Sequence, residues 1–386
     1  MDLRDPQPVD PRTPVIIAGR RSPIGSAGHG LADITAEVLA GEVISAVVED
    51  LPAGVTVEEV VLGNCLGPGG NLARVASLRS GLPTDLAART VDLQCGSGLA
   101  AIIAAADSIR AGRCDVVLAG GVESPSTAPT RTWPDGRTYA RAPFAPEGHP
   151  DPDMGEAADE LARRSGISRS RADAYAARSH TRAWAAQQDG RFEAEIVPVG
   201  SLSRDERVRD RMSTHRLARL RPTFDPDGTV TAGNATGVND GAAVVAVVSE
   251  SRRAALRLPG LAITGAAQRG CDPILPGLGP VPAVRALTTL AGDDGAVDWS
   301  RVDRVEINEA FAAQVLACCD ALDLDEERVC LDGGALALGH PWGASGAVLA
   351  VRLFSALVRG DQGRTGVAAI AVGGGQGVAI SVERCG

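Results

Sequence analysis

Short, almost wholly apolar runs alternate along this chain with longer stretches of helical period. Val15-Ile16-Ile17-Ala18, Glu59-Val60-Val61-Leu62-Gly63-Asn64 and Asp115-Val116-Val117-Leu118-Ala119-Gly120-Gly121 read as buried strands. Between them Ile34–Val48 carries an apolar face at helical spacing, and Leu72–Ser80 predicts a shorter helix. Thr90–Ile103 opens as an extended piece, turns at Cys95-Gly96 and continues as a helix of little but Ala and Ile. Continuous apolar strands alternating with helices predict a parallel, layered α/β core.

After Glu123 the pattern breaks. To about Asn234 the chain is rich in Pro, Arg, Asp and Gly, with amphipathic stretches at Ala157–Arg164 and Arg169–Gln188, which predicts an inserted subdomain. A strand within Gly237–Ser249 returns to the core, and the alternation restarts. Pro282–Leu290 and Glu309–Leu322 read as helices, with Asp303–Asn308 a strand between them. Gly333–Gly346 reads as a glycine-rich turn, Ala347–Val358 as a helix, and Val367–Val372 and Val378–Val382 as strands around Gly373–Gly377. The halves echo each other. One strand ends in Asn64, 31 positions before Cys95, and another in Asn308, 32 positions before His340. That spacing predicts an internal duplication. It divides the chain into a first half (1–122), an inserted loop domain (123–236), a return of the first half (237–257) and a second half (258–386), with residues 1–12 as a loose arm.

Composition narrows the function. A net charge of −10 with no basic tail disfavours nucleic-acid or membrane-surface binding. All 38 basic residues are arginine, which excludes Schiff-base chemistry on a lysine. The eight cysteines form no CxxC pair and none has zinc-ligand spacing to a histidine, so no metal is expected. No signal peptide and no apolar run of membrane-spanning length is apparent; the expectation is a cytoplasmic protein.

Three loops at predicted strand ends carry candidate chemistry. Cys95 precedes a helix, where free N–H groups and the helix dipole favour a thiolate; a buried structural cysteine is the alternative. His340, among Gly333, Gly334, Gly339, Gly343 and Gly346, is placed to deprotonate it, whereas His29, His149, His180 and His215 read as structural or exposed. Asn308 either caps the next helix or orients a water or carbonyl. Gly373–Gly377 offers backbone N–H to an oxyanion. A strand follows that glycine run, which argues against a dinucleotide site.

These motifs resemble the thiolase family, from about Pro14 to the end of the chain. The resemblance rests on Arg21-Ser22-Pro23-Ile24-Gly25, Gly70-Asn71-Leu72-Ala73-Arg74, Cys95-Gly96-Ser97-Gly98, Gly120-Gly121-Val122-Glu123-Ser124, Met154-Gly155, Thr231–Gly241, Asn308-Glu309-Ala310-Phe311, Gly339-His340-Pro341 and Gly373-Gly374-Gly375. It implies two duplicated α/β halves in five layers with an inserted loop domain, a homodimer or homotetramer, and an acyl-CoA substrate with no permanently bound cofactor. By position, Cys95 would become acylated with His340 as its base. Asn308, through a water, and His340 would form one oxyanion hole; the N–H groups of Cys95 and Gly373 would form the other. Met154, Ala232, Thr236, Ala310 and Phe311 would line the pantetheine and acyl tunnel. Arg211, Arg216 or Arg221 would offset the charge of coenzyme A.

One departure bears on the chemistry. Thiolases usually carry a second cysteine that moves the α-carbon proton, and both positions known for it hold alanine here, Ala371 and Ala310. Either Cys330, a water or a substrate group replaces it in Claisen chemistry, or only acyl transfer or decarboxylative condensation survives. A non-catalytic partner subunit is a third reading, disfavoured by the retention of Cys95, His340 and Asn308. Smaller departures are Asp92 and Asp332, where asparagine is common, and Trp342, which is bulkier than the usual leucine.

Overall fold

The computed structural model describes residues 10–292 and 296–386; residues 1–9 of the expected arm lie outside them. Nine strands carry the fold: β1 (Pro14–Arg21), β2 (Glu59–Gly63), β3 (Ala87–Val91), β4 (Val116–Glu123), β5 (Asn239–Ser249), β6 (Gly260–Gly270), β7 (Arg304–Ile307), β8 (Thr365–Val372) and β9 (Gln376–Cys385). They form one sheet in the order β3-β2-β4-β5-β1-β6-β9-β8-β7, with Gly25–Ser26 as a tenth strand off this path against β5. Outward from the β1–β6 seam, the order β1-β5-β4-β2 on one side repeats as β6-β9-β8-β7 on the other. β2 then pairs in parallel with β3, as β7 does with Val329.

The sheet is mixed rather than parallel. Between the nine strands, parallel pairing joins β2 to β3 and β4, and β7 to β8; the inner strands run antiparallel. The cause is local: β8 and β9 are joined only through Gly373–Gly375, and a parallel crossover needs a dozen or more residues.

Side-chain alternation along the strands builds the layers. On β5, Ala243, Val245 and Val247 face the central helices α3 (Ser97–Arg110) and α8 (Trp342–Phe354). Ala242, Val244, Ala246 and Val248 face the outer helices α1 (Ala36–Glu49) and α2 (Leu72–Arg79). In the second half Ala368, Ile370, Val378 and Ile380 face the centre, while Val367, Ala369 and Ala379 pack under α6 (Pro280–Arg285) and α7 (Ala312–Leu322). Helices, one half of the sheet, helices, the other half of the sheet and helices make five layers.

The central pair corrects one reading. Gly343 and Gly346 do not belong to a turn: α8 starts at Trp342, five residues before the predicted Ala347. The glycines let α3 and α8 touch by backbone. A Cβ on Gly346 would stand 2.5 Å from the Leu99 nitrogen, and one on Gly98 2.8 Å from the Gly343 carbonyl. With its continuation to Arg359, α8 has the length and composition of a membrane-crossing helix, but 83% of it is buried at the centre of the molecule. Elsewhere α7 starts at Ala312 rather than Glu309, and the stretch Pro282–Leu290 divides into α6 and a 3₁₀ turn at Thr288–Leu290.

The loop segment contributes α4 (Met154–Ser165), capped by Asp153 and closed at Gly166, and α5 (Arg169–Gln188). It is tied to both halves by buried ion pairs. Arg21 meets Glu195 and Asp205; Arg352 of α8 meets Glu195 and Asp332. Asp332, in a position where asparagine is common, is thus the charge partner of a buried arginine.

Candidate active site

Each half delivers one reactive residue in the same way. Cys95 lies two residues before the first residue of α3, and His340 two residues before that of α8. Because Gly98 and Gly343 bring these helix starts together, both side chains reach one cavity of about 450 Å³. Met154, Thr236, Ala310, Phe311, Trp342, Ala371 and Gly373 line the same cavity.

The Cys95 thiol is not activated in the resting state. Burial pushes it up to about 12, with the Glu123 and Asp92 carboxylates adding to the effect and its own backbone N–H working against it. Burial and the two carboxylates thus oppose the thiolate that the helix start favours. Glu123 is itself fully buried and held by Asn64 Nδ2 (2.9 Å) and by the backbone N–H groups of Cys65, Leu66 and Gly343.

His340 is buried, and burial pulls its ring down to about 4, so it is neutral at pH 7. Its backbone N–H donates to Asn239 Oδ1 (3.0 Å). Its Nδ1 lies 2.6 Å from Ser345 Oγ and 3.4 Å from Asn308 Nδ2. A base role requires the proton on Nδ1, donated to Ser345 Oγ, which leaves the Nε2 lone pair free.

The remaining candidates divide. Asn308 is buried beside His340 but does not line the cavity. Gly373 does, at the start of the β8–β9 turn, where Gly374 and Gly375 take positive φ. Ala232 lines a second cavity of about 710 Å³, whose wall includes Ala235, the residue before Thr236 of the first cavity. Cys330 is excluded as a replacement for the missing cysteine. It is 1% exposed in the outer core of the second half, its thiol donates to the Ile307 carbonyl, and it is not part of the cavity wall.

Three features escaped the sequence reading. Cys65 lines the cavity with Cys95; its place just after Asn64, at a strand end, was the available signal. Ser345, one helical turn into α8, had none beyond its spacing from His340. The third is the second cavity, walled by Arg207, Arg209, Arg211, Arg216 and His180. His180 is buried, and its Nδ1 and Arg207 Nε have no hydrogen-bond partner among the described residues. Arg211 and Arg216 belong to this wall and Arg221 does not.

The layered, duplicated α/β fold brings the half-buried Cys95 and the buried His340 to one cavity at its seam. The thiolase N-terminal domain family matches residues 14–251, and the thiolase C-terminal domain family matches residues 259–384. The chain belongs to the thiolase family and is an acyltransferase of that family. It is 42% identical over 396 residues to a probable acetyl-CoA acetyltransferase of Escherichia coli K12, covering 96% of this chain and 98% of the relative. It is 40% identical over 393 residues to a probable acetyl-CoA acyltransferase of Staphylococcus aureus, covering 96% and 98%. The crystal structure of the Bacillus anthracis acetyl-CoA acetyltransferase superposes with a TM-score of 0.88 at 38% identity, covering 97% of this chain and 99% of the other. That of human mitochondrial 3-ketoacyl-CoA thiolase gives 0.86 at 34% identity, covering 97% and 100%.

Proposed function

We propose that the chain takes an acyl group from acyl-CoA onto Cys95 and passes it to carbon, as Claisen condensation or the reverse thiolysis of a β-ketoacyl thioester. The observation that carries this reading is the meeting of Cys95, His340 and Gly373 on one cavity wall. His340, neutral at pH 7, takes the Cys95 proton as the sulfur attacks the thioester carbonyl. The N–H groups of Cys95 and Gly373 receive the oxyanion. The Asn308–His340 pair serves the second carbonyl, and Met154, Thr236, Ala310 and Phe311 hold the pantetheine and acyl chain.

The arginine-walled second cavity supports an anionic carrier. Its four arginines outnumber its one carboxylate, Asp210, and among the described residues His180 Nδ1 and Arg207 Nε have no hydrogen-bond partner, which suits the phosphates of coenzyme A. Eight free thiols suit a reducing cytoplasm. A homodimer or homotetramer is supported by β3, a sheet-edge strand, with exposed Val75 and Leu78 on the neighbouring α2.

The test is mass spectrometry of the whole protein after incubation with acetyl-CoA. An acetyl adduct on Cys95, absent in Cys95→Ala, is expected; no adduct refutes the reading. Ala371 in the cavity wall favours a second reading, in which only acyl transfer survives. Robust thiolysis of acetoacetyl-CoA would remove it.

A further inference from the structure

Carbon–carbon chemistry beside a thioester needs two separate proton movements. One is on the attacking sulfur, which His340 serves. The other is at the α-carbon, where a carbanion forms or is quenched. The wall position Ala371 has no proton to offer. The cavity wall holds three other groups that can exchange one: Cys65, Asp92 and Asp153.

Both carboxylates are occupied in shaping backbone. Asp153 caps α4 by accepting from the Gly155 N–H, and Asp92 accepts from the N–H and the side-chain amide of Gln94. Cys65 differs. Its backbone is pinned at both ends: its N–H donates to Glu123 Oε2 (3.1 Å), and its carbonyl accepts from the Arg131 guanidinium (2.9 Å). Its thiol donates to the carbonyl of Gln94 (3.1 Å), the residue joined to Cys95. The second thiol is therefore held beside the first, on the wall of the cavity in which Cys95 reacts.

We propose that Cys65 is the acid–base residue for the α-carbon, a second catalytic thiol at a position that replaces the one lost at Ala371. This assignment rests on the acyl-enzyme reading above. In cleavage, Cys95 sulfur bonds to C3 of the β-ketoacyl thioester while His340 holds its proton. The C2–C3 bond breaks, and its electron pair stays on C2 as a thioester enolate. Cys65 gives its thiol proton to C2, and the shortened thioester leaves. The Cys65 thiolate then takes the proton of the incoming coenzyme A thiol, whose sulfur attacks the Cys95 thioester. Cys95 departs as a thiolate and recovers its proton from His340.

The electrostatics suit this order. Burial first, then the Glu123 carboxylate, hold the Cys65 thiol well above its ordinary range, so it begins cleavage as an acid.

The experiment compares Cys65→Ala with the unaltered protein in three assays: acetylation of Cys95 by acetyl-CoA, deuterium uptake at C2 of acetyl-CoA in D2O, and thiolysis of acetoacetyl-CoA. Acetylation should persist within about threefold, while exchange and thiolysis fall by about 10²–10⁴. Ala371→Cys on the Cys65→Ala background should restore part of both, and Cys330→Ala should leave all three unchanged. Exchange retained in Cys65→Ala overturns the assignment, as does joint loss of acetylation and exchange, which marks a structural role. An unaltered protein that acetylates Cys95 but neither exchanges nor cleaves also overturns it. Failure of acetylation in the unaltered protein instead refutes the acyl-enzyme itself.

Discussion

Replacing His340 by alanine isolates the step that burial makes hard. With the Cys95 thiol near 12, its thiolate fraction at pH 7 is about 10⁻⁵, equivalent to ~7 kcal/mol of ionisation free energy. A base that takes the proton during attack avoids forming the free thiolate, and His340, held near 4, is unprotonated and ready to do so. Its loss should slow acetylation of Cys95 by about 10²–10⁴-fold at pH 7. The pH profile is the sharper readout. Without a base, the rate should climb about tenfold per pH unit from pH 7 to 10, following the thiolate fraction of a group near 12. The unaltered enzyme should show a far flatter profile. Rapid-quench mass spectrometry of the acetyl adduct measures both. Acetylation within about threefold of the unaltered protein, or the same pH profile, would refute this account of how the thiol is used. A thermal melt checks that the variant folds; the backbone bond from His340 to Asn239 does not depend on the imidazole.

Other consequences concern stability. Gly346→Ala gains about 1 kcal/mol in helix propensity but drives a Cβ to 2.5 Å from the Leu99 backbone, which cannot swing aside. The melting temperature should fall by about 2 °C or more, and a rise would contradict the close packing of α3 on α8. Asp332→Ala strips one partner from buried Arg352; about 3 kcal/mol should be lost, seen as a lower urea midpoint. His340 and His180 are both held near 4 against an ordinary 6.5. The unfolded chain thus binds their protons first as pH falls. Stability is complete above about pH 6.5 and is lost towards pH 4, by about 3 kcal/mol for each group. Urea unfolding at pH 7 and pH 5 reads this, and His180→Gln should remove its share of the pH dependence.

Much of the architecture was legible because a strand buried on both faces writes a continuous apolar run, and a helix such as Arg169–Gln188 writes its period. The duplication was legible from two asparagines at matching distances from Cys95 and His340. Glycine was the ambiguous letter. At Gly374 it marks a turn, and at Gly343 and Gly346 it marks two helices in backbone contact; local sequence does not separate these uses. The site was readable as far as its residues sit in local motifs. Cys65 belongs to it through contacts with segments far away in the chain, and Ser345 through its contact with His340 five residues earlier. Cys330, ten residues before His340 in sequence, packs in the outer layer of the second half. The depressed His340 and raised Cys95 follow from depth of burial, which no motif records.

The two halves also show how a repeated structure divides its labour. Asn64 and Asn308 close equivalent strands, yet Asn64 braces the buried Glu123 while Asn308 stands against His340. In the proposed reaction the nucleophile comes from one copy and its base from the other, which makes the reactive centre a property of the seam. A change confined to either copy alters only one partner, and the chemistry survives only while both copies keep the same handshake. Duplicated halves with this arrangement can drift apart freely on their outer faces, but the glycine-lined meeting of their central helices ties them to a common history.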